Sequence, residues 1–161
     1  MHEAVADTSV LQYLFQADGI HLLPALYGQV VVPVAVAEEL DQGRSLGHAL
    51  PDPRSFPWVS VQPIRGLASL DAIRDLGKGE RAVLALTFQK PGTTALLDDG
   101  LARRVARELG ITFTGTLGVL LRAKAEGHLA SVAPTVERLE ELGFRLAPQT
   151  RSAILELAGE R

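Results

Sequence analysis

Acidic residues recur where apolar, strand-like runs give way to helical ones: Asp7 after HEAVA, Glu39 just beyond QVVVP, Glu80 opening ERAVLAL, and the pair Asp98-Asp99 ending TTALL. In an open α/β sheet the carboxyl ends of the strands border the crevice where ligands bind. Carboxylates gathered there repel one another, so a fold that collects several needs a cation to keep them ionised together. An all-oxygen donor set suits Mg²⁺ or Mn²⁺. Such sites activate a water and neutralise charge on a phosphodiester during displacement, sometimes with two ions about 4 Å apart.

Each acid also has an ordinary explanation. Asp7 precedes Thr8-Ser9-Val10 and reads as a helix N-cap, a role that stabilises by ~1 kcal/mol. Glu39, on the helix after Pro33, shares a face with Ala35 and Val36, because residues three and four apart are neighbours on a helix. Glu38 lies about 100° round the helix and is the solvated member. Glu80 opens a helix whose Val83 and Leu84 mark the core side. A first-turn Glu complements the helix dipole by roughly 0.3–1 kcal/mol, which accounts for an outward Glu more readily than one over the core face. Of Asp98 and Asp99, one can cap the following helix, which leaves the other without a structural reason. Taken together, acids along one sheet edge exceed what capping requires.

The elements that must position them alternate. Residues 4–6 lead a strand, followed by a helix with Val10, Leu11, Leu14 and Phe15 on one face. A helical piece over 22–27 stops at Gly28, residues 30–32 form an apolar strand, and Pro33 suits the first turn of the next helix. Residues 43–57 read as a long loop, and 58–61 as an edge strand closed by Pro63. Helices are expected over 67–76 and 80–89, separated by Gly77-Lys78-Gly79, then a strand at 94–97, a helix at 101–109, a strand at 111–113 and a helix at 117–126. A helix near 135–142, a short strand at 144–146 and a helix at 152–158 follow. Strands that are apolar throughout belong to a parallel sheet covered on both faces. The expected fold is therefore α/β: a three-layer α/β/α sandwich with a central, mostly parallel sheet and right-handed crossovers, in one domain.

Composition bounds the rest. A chain of 161 residues, 47% apolar, suits one domain with one core. With no cysteine, disulfides and thiolate metal sites are excluded, as fits a reducing cytoplasm. No signal-peptide pattern is evident, and no apolar run approaches the roughly 20 residues that span a bilayer. The net charge of −3 does not exclude a nucleic-acid partner. Carboxylates committed to one crevice leave the remaining surface near neutral, and a divalent ion inverts the local sign.

The acids and their surroundings resemble those of PIN-domain ribonucleases, including the VapC-like toxins of bacterial and archaeal toxin–antitoxin pairs. The matching pieces are VADTSVL with Asp7, VPVAVAEEL with Glu39, GKGERAVLAL with Glu80, and LLDDGLARRVARELGITFTGTLGVLLRAKAEG with Asp98 and Asp99. This last segment is similar to a PIN-like subfamily carrying a DD pair, an Arg-rich helix and a TGT turn. The resemblance runs from about Val5 to Gly127 and extends toward residue 161, which implies a single PIN-like domain over 1–161 with a core of about 1–127 and a C-terminal helical extension at about 128–161. It implies an endoribonuclease dependent on Mg²⁺ or Mn²⁺ and acting on single-stranded or structured RNA. It further implies Asp7, Glu39, Glu80 and Asp99 as the acidic set, with Asp98 assisting or replacing Asp99, a small antitoxin covering the crevice, and a homodimer. Two departures stand out: a Glu at 80 where many of the toxins have Asp, and the doubled fourth position.

Smaller features carry less. Thr114 and Thr116 of the TGT turn can hold a phosphate or a metal-bound water, or simply start a helix. Arg103, Arg104 and Arg107 can contact an RNA backbone, although a solvated helix face is the simpler reading. Lys78 in GKGE lacks the spacing of a phosphate loop. The four histidines form no ligand spacing, and Trp58 reads as a core residue. The competing function is a catalytically weak or inactive PIN-like module that binds nucleic acid or acts as a scaffold. Receiver and haloacid-dehalogenase chemistries are set aside, because neither matches Asp7-Thr8-Ser9 followed by a late acidic pair.

Overall fold

The computed structural model describes residues 3–65 and 73–160. Runs of small and β-branched residues without polar alternation form its inner strands. β1 (Ala4–Ala6) and β2 (Val30–Pro33) are buried along their whole length, as a sheet covered on both faces requires. With β3 (Val59–Gln62), β4 (Thr94–Leu96) and β5 (Phe113–Thr114) they make an all-parallel sheet in the order β3-β2-β1-β4-β5. Val5 pairs with Val31 on one side and Ala95 on the other. The chain moves outward from β1 to β3, then returns to the opposite side of β1. The crevice between β1 and β4 is thus the topological switch point, where ligands bind in folds of this kind.

The helices are α1 (Thr8–Gln16), α2 (Leu22–Tyr27), α3 (Val34–Ser45), α4 (Lys78–Gln89), α5 (Gly100–Glu108), α6 (Thr116–Ala125), α7 (Ala133–Glu141) and α8 (Pro148–Leu157). Helix α4 packs on β1, β2 and β4 and also touches α3 and α5, so its alanines and leucines are buried around most of its girth. Helix α6 contacts α1, α2 and α8. Val132, Val136, Leu139 and Leu155 join the same core as the sheet, which builds α7 and α8 into the body of the domain. Trp58 packs at the edge of that core.

Several expectations shift. Helix α3 continues past Gly43 to Ser45, and the loop after it is pinned rather than open. Arg44 donates to the Pro51 carbonyl at 2.6 Å and pairs with Asp41, and Asp52 caps a 3₁₀ turn at Pro53–Ser55. Most of the expected helix over 67–76 lies outside the described residues. The strand expected at 111–113 begins at Phe113, because the Ile111 amide closes α5 on the Ala106 carbonyl at 2.9 Å and leaves the sheet. The strand expected at 144–146 does not form. Gly143 turns the chain at φ +95°, and the Phe144 amide closes α7 on the Leu139 carbonyl at 2.9 Å.

A carboxylate at the end of α8 acts as a tie. The Glu160 carboxylate accepts from Lys124 Nζ at 2.7 Å, Ser131 Oγ at 2.6 Å, and the Val132 and Ala133 amides at 2.8 and 3.1 Å. It therefore joins the end of α8 to the start of α7 and to α6. These donors, led by the Lys124 ammonium, hold its pKa down from the ordinary 4.5 to about 2. A carboxylate with a lowered folded pKa adds stability that is present above its unfolded pKa and lost as pH falls through the folded one. Glu160→Gln is expected to lower Tm at neutral pH, with the deficit shrinking below the unfolded pKa and gone near pH 2. Thermal melts across pH test this, and equal Tm values at pH 7 would count against the tie.

Candidate active site

At the switch point the backbone sets two acids side by side. The Asp7 amide continues the ladder by donating to the Leu96 carbonyl at 3.1 Å, and the Leu97 amide donates to Thr114 at 2.8 Å. The next residues, Asp7 on one strand and Asp98 on its neighbour, therefore leave the sheet together. Asp7 occupies the N-cap position of α1 but makes no side-chain capping bond. It is only 5% exposed. Its pKa rises to about 7, chiefly because burial disfavours the charge; the charges of Glu80, Glu39 and Asp98 add to this, and a hydrogen bond from the Thr8 backbone opposes it.

Glu39 projects from the second turn of α3 to the same place, where its Oε2 accepts from Thr8 Oγ1 at 3.0 Å. Glu38, one position earlier, does not border the cleft. Glu80 sits in the first turn of α4, half-buried, with its carboxylate folded back near Gly77. Gly79 lies between these acids, and sequence reading passed over it as part of a Gly-Lys-Gly connector. A Cβ there would collide with Glu39 Oε1 and stand 3.1 Å from Asp7 Oδ1. The missing side chain is what lets α4 approach the carboxylates.

The two members of the doubled position make different contacts. Asp99 caps α5, accepting from the Ala102 amide at 2.9 Å. Asp98 turns inward instead: it accepts from the Thr116 amide at 2.8 Å, from Thr116 Oγ1 at 2.7 Å and from Ser9 Oγ at 3.4 Å. Asp98 is also the member whose charge bears on Asp7. Thr116 is neither the N-cap, which is Gly115, nor a free phosphate donor, because its hydroxyl is engaged by Asp98. Thr114 lies further along, beside Gly118.

All five acids border one cleft of about 560 Å³. Its other walls come from Ser9, Gln12 and Tyr13 on α1 and from Phe144 and Arg145 between α7 and α8. Nothing local in the sequence marks these last two, since they reach the cleft only through tertiary packing. Among the described residues no three acidic or histidine side chains gather closely enough to hold one metal ion as they stand. Glu39 is turned to Thr8, Asp98 to Thr116, and Glu80 back over the start of α4. The donor set nevertheless fits a hard divalent cation. Every donor is an oxygen, a cation would offset the charges that raise Asp7, and Gly79 keeps open the space beside Asp7 and Glu39 that a side chain would fill.

A family model described as a PIN domain matches residues 3–160. No curated protein matches the chain.

Folding raises the Asp7 pKa from 3.8 to about 7. Without a divalent ion, the protein should thus lose stability as pH rises through that window, and the full penalty applies above it. Asp7→Asn removes the penalty. In EDTA near pH 8 the variant should be the more stable by something on the order of 1–4 kcal/mol, and the gap should close toward pH 4. Chemical denaturation at several pH values measures this; a wild type with no pH dependence over the window would refute it. Gly79→Ala should keep its fold, because Glu39 can swing aside, yet lose the close approach of α4 to the acids. Its test is an unchanged Tm alongside a reduced divalent-ion stabilisation.

Proposed function

The chain belongs to the PIN-domain family, whose members are in general nucleases, and from that premise we propose that it is an endoribonuclease dependent on Mg²⁺ or Mn²⁺. The observation that supports this most is Asp7 at the switch point, whose pKa is raised chiefly by burial and further by the charges of Glu80, Glu39 and Asp98. Asp7, Glu39, Glu80 and Asp98 would hold the cation, with Asp99 serving chiefly as the cap of α5. Such an ion supplies a water activated near neutral pH and neutralises charge on the phosphodiester oxygens.

The chain's own residues prepare the site. Thr116 and Ser9 fix the Asp98 carboxylate, and Thr8 holds Glu39 toward the cleft. These outer partners restrict the rotamers of the acids before any substrate arrives, as orienting groups do around metal ligands. The proposal extends, on the resemblance to toxin ribonucleases, to a small antitoxin that covers the cleft and to a homodimer. A second reading, an RNA-binding module without catalysis, is favoured by the way the acids turn apart toward separate partners.

Cleavage of a panel of single-stranded and hairpin RNAs separates the two. Protein stripped of metal should be inert, and Mn²⁺ or Mg²⁺ should restore cleavage; equal cleavage in excess EDTA would sink the metal mechanism. RNA bound but uncut in Mn²⁺ would establish the second reading. Asp98→Asn should cost more than the roughly 10–100-fold typical of losing an outer partner. Asp99→Asn should cost little activity, and no more than about 1 kcal/mol in stability, since Asn also caps well.

A further inference from the structure

The acidic cleft does not end at Asp98. A second cavity of about 390 Å³ adjoins it, and Asp98, Phe144 and Arg145 line both. Leu117 and Leu121 of α6 and Ile154 of α8 give the second cavity an apolar wall, while Arg103 and Thr150 supply polar groups. The shared residues set the two spaces side by side, the first at the acids and the second reaching Ala147 and Thr150 at the start of α8.

Among the described residues, two arginines lining these cavities have no carboxylate partner. Arg44, Arg122, Arg138 and Arg151 each pair with an acid. Arg103 instead lies 5.1 Å over the Phe113 ring. A Cβ at Gly115 would be 3.2 Å from Arg103 Nη1 and 2.7 Å from Asp98 Oδ1, so the guanidinium is set at the edge of the acid site. Arg145 is exposed, and among the described residues it has neither an ion pair nor a hydrogen bond. Its backbone is nonetheless fixed. Gly143 ends the preceding turn, Phe144 packs edge-on against Tyr13 at 5.0 Å, and Pro148 starts α8. A guanidinium left unpaired on an anchored segment beside an acidic site is suited to an anion drawn to that site.

Resting on the nuclease reading, we propose that the second cavity seats the nucleotide next to the scissile phosphate of a single-stranded RNA, with Arg145 binding the phosphate at the junction. The acids alone would repel a phosphodiester, and Arg145 supplies the compensating charge where the strand passes. The apolar wall receives the sugar and the unstacked base, which only a single strand or loop offers. Arg103 contributes to the field on the same side. The volume lies within the range of ordinary ligand pockets.

Anisotropy of a fluorescein-labelled single-stranded oligoribonucleotide, titrated in EDTA over a range of salt, tests this together with steady-state cleavage in Mn²⁺. Arg145→Gln should melt like the wild type, weaken binding about tenfold, and lower the salt slope by about 0.7, as expected for one lost phosphate contact on a single strand. In cleavage the loss should appear in KM, with kcat little changed, and Arg145→Lys should recover most of it. Thr150→Trp, which fills the second cavity and leaves every acid in place in the sequence, should weaken binding in the same way. Arg138→Gln controls for net charge and should alter nothing. If Arg145→Gln and Thr150→Trp bind with wild-type affinity and slope while Asp7→Asn abolishes cleavage, the nuclease reading survives and this inference is overturned. A wild type that neither binds nor cuts RNA overturns both.

Discussion

A carboxyl group shut away from water must be protonated, paired or countered by a cation, because a lone buried charge is far too costly to keep. Asp7 is such a group, and the fold places it where it cannot escape. Its own amide completes the ladder between β1 and β4, so the residue can move only if the central strands come apart. Around it, Thr8, Thr116 and Ser9 hold the other acids at their stations, and a glycine in the first turn of α4 lets that helix close in. The centre of the sheet thus carries an electrostatic penalty that apolar packing on both faces must offset.

The sheet and the order of its elements were legible because parallel strands buried on both faces are written as unbroken apolar runs, and AVA and VVV are such runs. The α/β sandwich followed from their alternation with helices. Helical facing also separated Glu39 from Glu38, a distinction of one residue and about 100°. What stayed hidden was decided by contacts between distant segments. Either Asp98 or Asp99 can cap a helix, and only the position of Thr116, on the far side of β5, shows which one turns inward. Gly79 looked like a spacer because its neighbours, Asp7 and Glu39, lie far away in sequence. Residues 144–146, Phe-Arg-Leu, alternate as a strand does, but the closing bond of α7 took their first amide.

Much of the cleft's second wall comes from the part of the chain least related to the acids in sequence. Phe144 and Arg145 sit between α7 and α8, and Tyr13 receives Phe144 from across the cleft. The wall therefore depends on two anchors. One is the aromatic contact to α1, and the other is the seating of α7 and α8 on α6. Charge is distributed around the cleft: the carboxylates come from the strand ends and from α3 and α4, and the Arg145 guanidinium comes from the segment between α7 and α8.

The tie at Glu160 has a consequence in time as well as in space. Chains leave the ribosome N-terminus first, and their early segments can begin to fold while the rest is being made. Here Asp7 and Glu39 emerge well before Glu160, and the hydrogen bonds that fasten the end of α8 to α6 and the start of α7 require that residue. Until then α7, α8 and the segment between them lack their fastening. A growing chain therefore carries the acids of the cleft before it carries the bonds that fasten α7 and α8.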